Sequence, residues 1–322
     1  MDLTVVIPLY NEAENLKSLA AWIARVAEGE ELVFEIIMVD DGSSDNSWAV
    51  IRQLVEQFGY VRGIRFQRNY GKSAALHTGF QASRGEVVIT MDADHQDSPD
   101  EIPGLRKMIL EEGFDLVSGW KKKRYDSVLA KNIPSKFFNF VARMVSGIKL
   151  NDFNCGLKAY RSAVVKSIEV YGEMHRYIPI IAKWAGFSKI GEKVVEHRKR
   201  EHGKTKFGAN RFINGFLDLI TIVVTQKYLK KPMHFFGLWG TLFALIGAGN
   251  LVYLAYIRLF MGIYITKRLP AMIFGAVALI SGLILFCTGL LAELLSRNSP
   301  YKNQYKIAER IGDEHLGEAQ EV

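Results

Sequence analysis

Short apolar runs alternate with helical patterns along the first third of the chain. The apolar runs cover residues 3–8, 34–39, 61–66 and 86–91. A polar turn and then a helical pattern follow each run, and Asn11 with Glu14 three residues later predicts a capping box at the first helix. Strands that are apolar on both faces and alternate with helices are typical of a parallel sheet. The pattern therefore predicts an α/β fold with a mostly parallel sheet.

Two later segments are apolar and much longer. Residues 233–257 and 269–292 form stretches of 25 and 24 residues without Asp, Glu, Lys or Arg. Because about 20 apolar residues suffice to cross the hydrocarbon core, both segments are predicted to be transmembrane helices. The alternative, two buried core helices, is less favoured because core helices rarely run so long without a charge. These two segments also account for a hydrophobic content of 49%.

The apolar segments divide the chain into four parts. We predict a head at 1–210, a juxtamembrane amphipathic helix at 211–232, a two-helix transmembrane hairpin at 233–292 and a C-terminal tail at 293–322. The N-terminus has no basic region and only a short apolar run, so a signal peptide is not predicted. The head and the tail are therefore expected on the cytoplasmic side. Basic residues flank the spans but also lie between them, so the positive-inside pattern adds little.

Charge and cysteine content narrow the classes of partner. Lys and Arg number 41 against 34 Asp and Glu, and the net charge of +7 suits anionic lipids or phosphates. The two cysteines, Cys155 and Cys287, indicate neither a disulfide framework nor a zinc site. A basic segment at 197–208 would suit nucleic acid. No aromatic platform or further basic region accompanies that segment, so nucleic acid is not expected as a partner.

Polar loops follow each of the four predicted strands. Ligands of parallel sheets bind beyond the carboxyl ends of the strands, so these loops are expected to form one site. The loop YGKSA resembles a P-loop, but Phe66 stands where that motif requires glycine, and no G-x-G-x-x-G follows the first strand. Asp92 and Asp94 follow the fourth strand, and their alternate positions direct both carboxylates toward one point. Mg²⁺ and Mn²⁺ commonly bind such carboxylates together with substrate phosphates.

Four segments, in order along the chain, carry a family resemblance. VVIPLYNEAENL, IIMVDDGSSDNS, NYGKSAALHTGF and VITMDADHQDSP together resemble family 2 glycosyltransferases of the GT-A fold. Within that family the chain is similar to the polyisoprenyl-phosphate glycosyltransferases, which include dolichol-phosphate mannose synthase and the bacterial enzymes that glycosylate undecaprenyl phosphate. The resemblance covers the head and extends to the two predicted spans, as in the bacterial two-span branch.

The resemblance implies roles for residues in these loops. It implies a nucleotide-sugar site formed by Pro8, Tyr10, Glu12, Asp40, Lys72, Asp92 and Ala93, with Arg200 and Lys206 from the basic segment. It also implies a site for Mg²⁺ or Mn²⁺ formed by Asp92, Asp94 and Gln96. Asp40 would accept a hydrogen bond from the base, and the metal would neutralise the diphosphate. Lys72 would either contact phosphate or be solvated, and acids at positions 97 and 100 suit a helix N-terminus.

A further segment, LNDFNCGLKAYR at 150–161, resembles the family's Asp-x-x-x-Gly-aromatic pattern, with Leu157 where phenylalanine is usual. Asp152 occupies the position often proposed as catalytic base, and Asp94 is the second residue expected to act in catalysis. A phosphate monoester has a second pKa of about 6, so much of the acceptor is already a dianion at neutral pH. For Asp152, positioning or opposing positive charge at the anomeric carbon is therefore favoured over base catalysis.

Basic residues beyond the first four loops are assigned to phosphate groups. The segment 197–208 matches the family's Arg-x-x-Gly-x-Ser-Lys pattern, and closure over the diphosphate is favoured over a solvated run of charge. Residues 119–147 mix cations with an apolar helical face, which fits an interfacial helix, although an ordinary amphipathic surface helix explains them nearly as well. The candidates for binding the acceptor phosphate are Lys121, Arg124, Lys131 and Lys136.

These features together predict a membrane-anchored, metal-dependent, inverting transferase. It would move one hexosyl unit from a nucleotide diphosphate sugar, with UDP-glucose as first choice, to polyprenyl (undecaprenyl) phosphate at the cytoplasmic face of a bacterial inner membrane. GDP-mannose, UDP-N-acetylglucosamine and a UDP-aminoarabinose stay open as donors, and a non-catalytic nucleotide-sugar-binding scaffold is the alternative from another class. A processive polysaccharide synthase is disfavoured because the chain has no Arg-Trp pair. A homo-oligomer and a lipid-sugar flippase are further expected partners.

Overall fold

The computed structural model describes residues 1–122, 139, 142–144, 146–196, 198, 232–262, 264 and 268–297. The chain divides into two compact units, Met1–Leu219 and Ile220–Val322. Several predictions lie outside the described residues. They are the juxtamembrane helix, nearly all of the tail, and the side chains of Arg124, Lys131, Lys136, Arg200 and Lys206.

The first unit contains a sheet to which the described residues contribute seven strands. The strands are β1 (Leu3–Leu9), β2 (Phe34–Asp40), β3 (Val61–Arg65), β4 (Val87–Thr90), β5 (Leu116–Trp120), β6 (Lys158–Arg161) and β7 (Ile190–Val194). Among the described residues of this unit, the helices are α1 (Ala13–Gly29), α2 (Ser47–Gln57), α3 (Lys72–Ala82), α4 (Ile102–Leu110), α5 (Ser162–Ser167) and α6 (Ile178–Trp184). Two 3₁₀ turns, Pro99–Glu101 and Met174–Tyr177, precede α4 and α6.

The predicted parallel sheet is confirmed, with one antiparallel strand inside it. The strand order is β3-β2-β1-β4-β6-β5-β7, and β1 pairs in parallel with both β2 and β4. Strand β6 runs antiparallel to both of its neighbours, β4 and β5, while β5 and β7 are parallel. The carboxyl ends of β1 to β5 therefore meet the amino end of β6 at a single edge of the sheet.

Helices cover both faces of the sheet. On one face, apolar side chains of α1, α2 and α4 form one buried cluster with alternate β1 residues such as Val5 and Ile7. On the other face, α3 contributes Ala75 to a cluster with Ile37 and Val39 of β2. Because β1 and β4 are buried throughout their length, their sequences are almost entirely apolar, with Thr4 and Thr90 as the polar residues. This two-sided burial is what made them readable as strands of a parallel sheet.

The start of α1 differs from the predicted capping box. Asn11 has a left-handed backbone, with a φ of 55°, and its Oδ1 accepts a hydrogen bond from Ser44 N at 2.8 Å. The N–H groups at the helix start are instead satisfied by the segment after β2, where Asp45 Oδ2 accepts from Ala13 N at 3.3 Å and Ser47 Oγ, at the start of α2, accepts from Glu12 N at 2.9 Å. The capping-box prediction is wrong because a distant loop supplies the acceptors that the local sequence was expected to supply.

The second unit contains two long helices, α7 (Pro232–Phe260) and α8 (Leu269–Arg297). Each has 29 residues, which at 1.5 Å per residue is roughly 43 Å. Both helices are long and apolar enough to cross a membrane. They pack closely, since a Cβ placed on Gly247 would lie 2.4 Å from Leu279 N. Small residues at such contacts are typical of helix pairs in lipid.

Candidate active site

Polar residues from separate parts of the sequence meet at the edge formed by the strand ends. Asp40 is the last residue of β2, and Asp92 follows the end of β4. Lys121 follows the end of β5, and Lys158 is the first residue of β6. The sequence predicted the convergence of the first four loops. Because β6 is antiparallel, its amino end adds the segment 152–158 to the same edge.

Asp92 lies among lysines. Its Oδ1 accepts a hydrogen bond from Lys72 Nζ, and the two groups also form an ion pair. Although burial opposes ionisation, the positive charges of Lys72, Lys121 and Lys158 lower the pKa of Asp92 to about 2. Asp92 is therefore a carboxylate at every pH at which the protein would work. Of the two roles predicted for Lys72, that of a simply solvated side chain does not agree with this contact.

Lys121 has a partner inside the protein. Its Nζ lies 2.7 Å from Asp97 Oδ1, and the two side chains are only 11% and 0% exposed. Burial alone would lower the pKa of Lys121, but the Asp97 carboxylate raises it above the ordinary value. Asp97 Oδ2 in turn accepts from Asp92 N at 3.3 Å. The buried pair thus supports the backbone of Asp92, and binding of an acceptor phosphate by Lys121 stays a prediction.

The loop after Asp92 is held in an unusual conformation. His95 has a φ of 59°, and its Nε2 donates to Asn15 O at 3.0 Å. On either side of it, Asp94 is 7% exposed, and its Oδ1 accepts from Gln96 N at 3.2 Å. A left-handed backbone at a residue other than glycine persists only where neighbouring contacts hold it, which is common at functional sites. Here α1 supplies that contact.

The donor set at this loop suits a divalent cation that arrives with a substrate. Asp92 and Asp94 offer carboxylate oxygens and Gln96 an amide oxygen, all of which are hard ligands. Within the part of the chain that the structure describes, no group of three or more His, Cys, Asp or Glu side chains could hold a metal. Mg²⁺ and Mn²⁺ bind in this way, through one or two carboxylates together with phosphates. The residues present therefore fit such an ion.

Asp152 is fixed by its neighbours. It is 2% exposed, and its Oδ1 accepts from Asn154 N at 3.0 Å. Its backbone carbonyl accepts from Ser118 Oγ of β5 at 3.2 Å. The preceding residue, Asn151, donates its N–H to Glu192 Oε2 of β7 at 2.7 Å. Contacts from two strands thus hold the backbone that carries the Asp152 side chain.

The segment after Asp152 packs directly on Asp92. Thr90 Oγ1 donates to Gly156 O at 2.8 Å, and a Cβ placed on Gly156 would lie 2.6 Å from Asp92 Oδ2. Only glycine allows the backbone to approach the carboxylate so closely. The Asp-x-x-x-Gly segment and the Asp-x-Asp loop therefore form one site, although 60 residues separate Asp92 from Asp152.

Lys158 is a buried member of the site that the sequence analysis missed. It is 3% exposed, and its Nζ donates to Cys155 O. Burial lowers the pKa of Lys158 from its ordinary value, and burial raises the pKa of the Cys155 thiol to about 12. Its one sequence signal was a lysine between the apolar residues Leu157 and Ala159.

The predicted nucleotide pocket lies at the ends of β1 and β2. Asp40 is fully buried, and its Oδ1 accepts from Ser43 N at 2.9 Å. Arg65 Nε lies 3.5 Å from Asp40 Oδ2, which accepts no hydrogen bond from the residues that are described. A buried carboxylate oxygen of this kind can accept a hydrogen bond from a ligand. Of the other predicted residues, Pro8 and Ala93 are buried and Tyr10 and Glu12 are half-buried.

Comparison of the sequence with known protein families agrees with this arrangement of residues. Residues 4–169 match the family model described as glycosyl transferase family 2. The chain belongs to glycosyltransferase family 2. The family 2 assignment predicted from the four sequence segments is thereby confirmed, and so is the assignment of the chain as a glycosyltransferase.

Two relatives of this family 2 glycosyltransferase are similar over almost the whole chain. Dodecaprenyl-phosphate galacturonate synthase from Rhizobium johnstonii is 35% identical over 299 residues, which cover 92% of this chain and 88% of the relative. Undecaprenyl-phosphate 4-deoxy-4-formamido-L-arabinose transferase from Pseudomonas syringae pv. syringae is 35% identical over 297 residues, which cover 91% and 85%.

Solved structures confirm the GT-A fold of this family 2 glycosyltransferase. Glucosyl-3-phosphoglycerate synthase from Mycobacterium tuberculosis, solved with Mn²⁺, UDP and glucosyl-3-phosphoglycerate, superposes with a TM-score of 0.53 at 20% identity, covering 70% of this chain and 79% of the other. Mannosyl-3-phosphoglycerate synthase from Rubrobacter xylanophilus gives a TM-score of 0.57 at 16% identity, covering 70% and 75%.

Proposed function

We propose that this glycosyltransferase transfers one sugar residue from a nucleotide diphosphate sugar to polyprenyl phosphate, with inversion at the anomeric carbon. The observation that carries the proposal is a head whose Asp92, Asp94 and Asp152 meet at one sheet edge, followed in sequence by two helices apolar enough for a membrane. Both relatives similar over 85% or more of their length are named for transfer to a polyprenyl phosphate. An acceptor soluble only in lipid requires an enzyme held at the bilayer.

The membrane arrangement belongs to the same proposal. Residues 1–210 would form the cytoplasmic head, 211–232 an interfacial helix, 233–292 the membrane hairpin and 293–322 a cytoplasmic tail. The proposal is supported by the two helices, among the residues that the structure describes, that are long and apolar enough to cross a membrane. A homo-oligomer and a lipid-sugar flippase stay predictions.

Different residues of the site would act on the base, the diphosphate and the anomeric carbon. Asp40 Oδ2 would accept a hydrogen bond from the nucleotide base, since it is buried and accepts none from the described residues. Asp92, Asp94 and Gln96 would hold Mg²⁺ or Mn²⁺, whose charge would neutralise the diphosphate as it leaves. Asp152 would stabilise positive charge at the anomeric carbon. A proton acceptor is of little use here because much of the attacking phosphate is already a dianion near pH 7.

The donor is proposed to be a UDP-sugar, with UDP-glucose as the prediction from sequence. A second candidate is a galacturonate donor, because the relative of 35% identity is named a galacturonate synthase. A donor of 4-deoxy-4-formamido-L-arabinose is a third, for the same kind of reason. GDP-mannose and UDP-N-acetylglucosamine complete the set to be compared. An Asp40 carboxylate that accepts from a base suits both uracil and guanine, so the donor needs a direct assay.

The test uses the full chain purified in detergent with undecaprenyl phosphate and Mn²⁺. Each donor is supplied separately, and mass spectrometry measures the glycosylated lipid. One donor is expected to give product, and Asp94→Asn should lower the turnover by more than 100-fold by removing a carboxylate that acts on charge in the transition state.

The control for that substitution is Asp115→Asn. Asp115 lies before the amino end of β5, at the opposite edge of the sheet, where its Oδ2 accepts from Lys189 N at 3.0 Å. This variant should keep wild-type turnover. If no donor gives a lipid product while UDP still binds with Mn²⁺, the transferase proposal fails and the scaffold alternative takes its place.

A further inference from the structure

Lys158 lies at the sheet edge that carries the site, between the ends of β4 and β5. It is the first residue of β6, opposite Thr90 of β4 and Ser118 of β5 in the strand register. Those strands lead to the Asp92 loop and to Lys121 respectively. A lysine buried to 3% exposure loses the hydration of its ammonium group, which is costly unless the protein supplies compensation. Its position therefore calls for an explanation.

The contact that Lys158 makes shapes the segment before it. Its Nζ donates to Cys155 O, three residues earlier, and so closes the turn between Asp152 and β6. The next residue, Gly156, is the one whose backbone rests on the Asp92 carboxylate. Lys158 thus links the turn that carries Asp152 to the position of Asp92.

Lys158 differs from the neighbouring lysines in the groups that its ammonium contacts. Lys72 pairs with Asp92 and Lys121 pairs with Asp97, so a carboxylate contacts each of them. Lys158 forms no ion pair among the residues that the structure describes, and its hydrogen bond goes to a neutral carbonyl. Burial lowers the pKa of Lys158, whereas the nearby carboxylates of Asp152 and Asp92 raise that pKa and so favour the charged form.

We propose that Lys158 is a positioning residue of the donor site, which holds the 152–156 turn against Asp92 and adds positive charge beneath the bound diphosphate. The proposal rests on the transferase function proposed above. Lys158 contacts neither of the reacting groups in this arrangement. It acts through the turn and through its charge, and Lys158→Met removes both while roughly preserving side-chain length.

Three measurements on the full chain test the proposal. The first is kcat with the active donor, the second is binding of Mn²⁺ alone, followed by the electron paramagnetic resonance signal of the free ion, and the third is Tm. Lys158→Met should lower kcat by about 10–100-fold, the usual loss when a residue supporting metal ligands is removed. It should also bind Mn²⁺ more tightly than the wild type, because a cation that repels the metal is gone.

Because the effects on kcat and on Mn²⁺ binding have opposite directions, they distinguish a positioning role of Lys158 from a role in supporting the fold alone. A variant with a damaged site would lose kcat and Mn²⁺ affinity together. Lys158→Arg keeps the charge and alters the geometry, so it should retain wild-type Mn²⁺ affinity with a lowered kcat. If Lys158→Met yields no folded protein, this second variant carries the test, and a wild-type kcat in Lys158→Arg overturns the proposal.

Lys166 provides the matched control. Its Nζ donates to three backbone carbonyls, those of Phe80, Gln81 and Ser83, at the end of α3. Lys166→Met should lower Tm while leaving kcat and Mn²⁺ affinity unchanged. Weaker or unchanged Mn²⁺ binding in Lys158→Met overturns the proposal. Since that titration needs no turnover, it still tests Lys158 if no donor is active, an outcome that would refute the transferase function alone.

Discussion

Replacing Gly156 with alanine is a sharp test of the claim that the two halves of the site form one unit. The added Cβ would lie 2.6 Å from Oδ2, 2.7 Å from Cγ and 2.9 Å from Oδ1 of Asp92. Ordinary contact begins at 3.4 Å, so the carboxylate and the backbone must separate by roughly 0.8 Å. The side chain of Asp92 is 34% exposed and paired with Lys72. It is therefore the group that can move.

The expected result is a large loss of turnover with a small loss of stability. A displacement of about 1 Å in a catalytic group costs about 100-fold in rate, so kcat of Gly156→Ala should fall by about that factor. Since the displaced carboxylate moves toward solvent, the fold should lose only about 1 kcal/mol, which lowers Tm by about 3 °C for a unit of this size. The concentration of Mn²⁺ needed for half-maximal rate should rise.

The assay measures lipid product by mass spectrometry over a range of Mn²⁺ concentrations, alongside thermal unfolding. The matched control is Gly59→Ala, because a Cβ at Gly59 meets nothing within 4 Å. This control should behave as the wild type. If Gly156→Ala also keeps wild-type kcat and Mn²⁺ dependence, Asp92 is not held by the 152–156 turn and the reasoning about a shared site is refuted.

Two further predictions concern stability. Glu35→Gln should destabilise the head by about 2 kcal/mol at pH 7, seen as a lower denaturant midpoint, because Glu35 accepts hydrogen bonds from Thr4 and Arg62. Burial opposes ionisation, but these bonds lower the pKa of Glu35. The difference from wild type should therefore be full above about pH 4.3, the unfolded value, and vanish as the pH falls through the folded pKa; a constant difference would contradict this. In the second unit, Gly247→Val should lower Tm and promote proteolysis, because the larger side chain would force α7 and α8 apart. Gly249→Val is the control and should have neither effect, because the space around Gly249 is open. Equal effects of the two substitutions would argue against close packing of the helices.

The sequence by itself determined the elements whose signals are local. Strands buried on both faces are mostly apolar, so 3–8 and 86–91 were readable as strands of a parallel sheet before any pairing was known. Two charge-free stretches predicted α7 and α8, because a helix surrounded by hydrocarbon can carry few charges. The Asp-x-Asp loop could also be recognised from a local signal, since its carboxylates directly follow an apolar strand.

The tertiary structure decided which groups face one another. Lys72, Lys121 and Lys158 are chemically alike in the sequence, yet they bond to Asp92, Asp97 and a backbone carbonyl respectively. A lysine's burial is set by residues far away in the chain, and no periodicity along the chain records it. The capping prediction at Asn11 was wrong for the same reason, since Ser43 and Asp45 of the loop after β2 accept from the N–H groups of Asn11 and Ala13.

The antiparallel insertion of β6 is the decisive example. The sequence analysis predicted no strand at 158–161, and side-chain alternation alone would not have given its direction or its neighbours, because it is the same in parallel and antiparallel pairs. Only the pairing of β6 between β4 and β5 brings the 152–158 turn to the edge where Asp92 lies. The sequence therefore supplied the chemical groups, whereas the long-range strand pairing fixed the distances between them on which their chemistry depends.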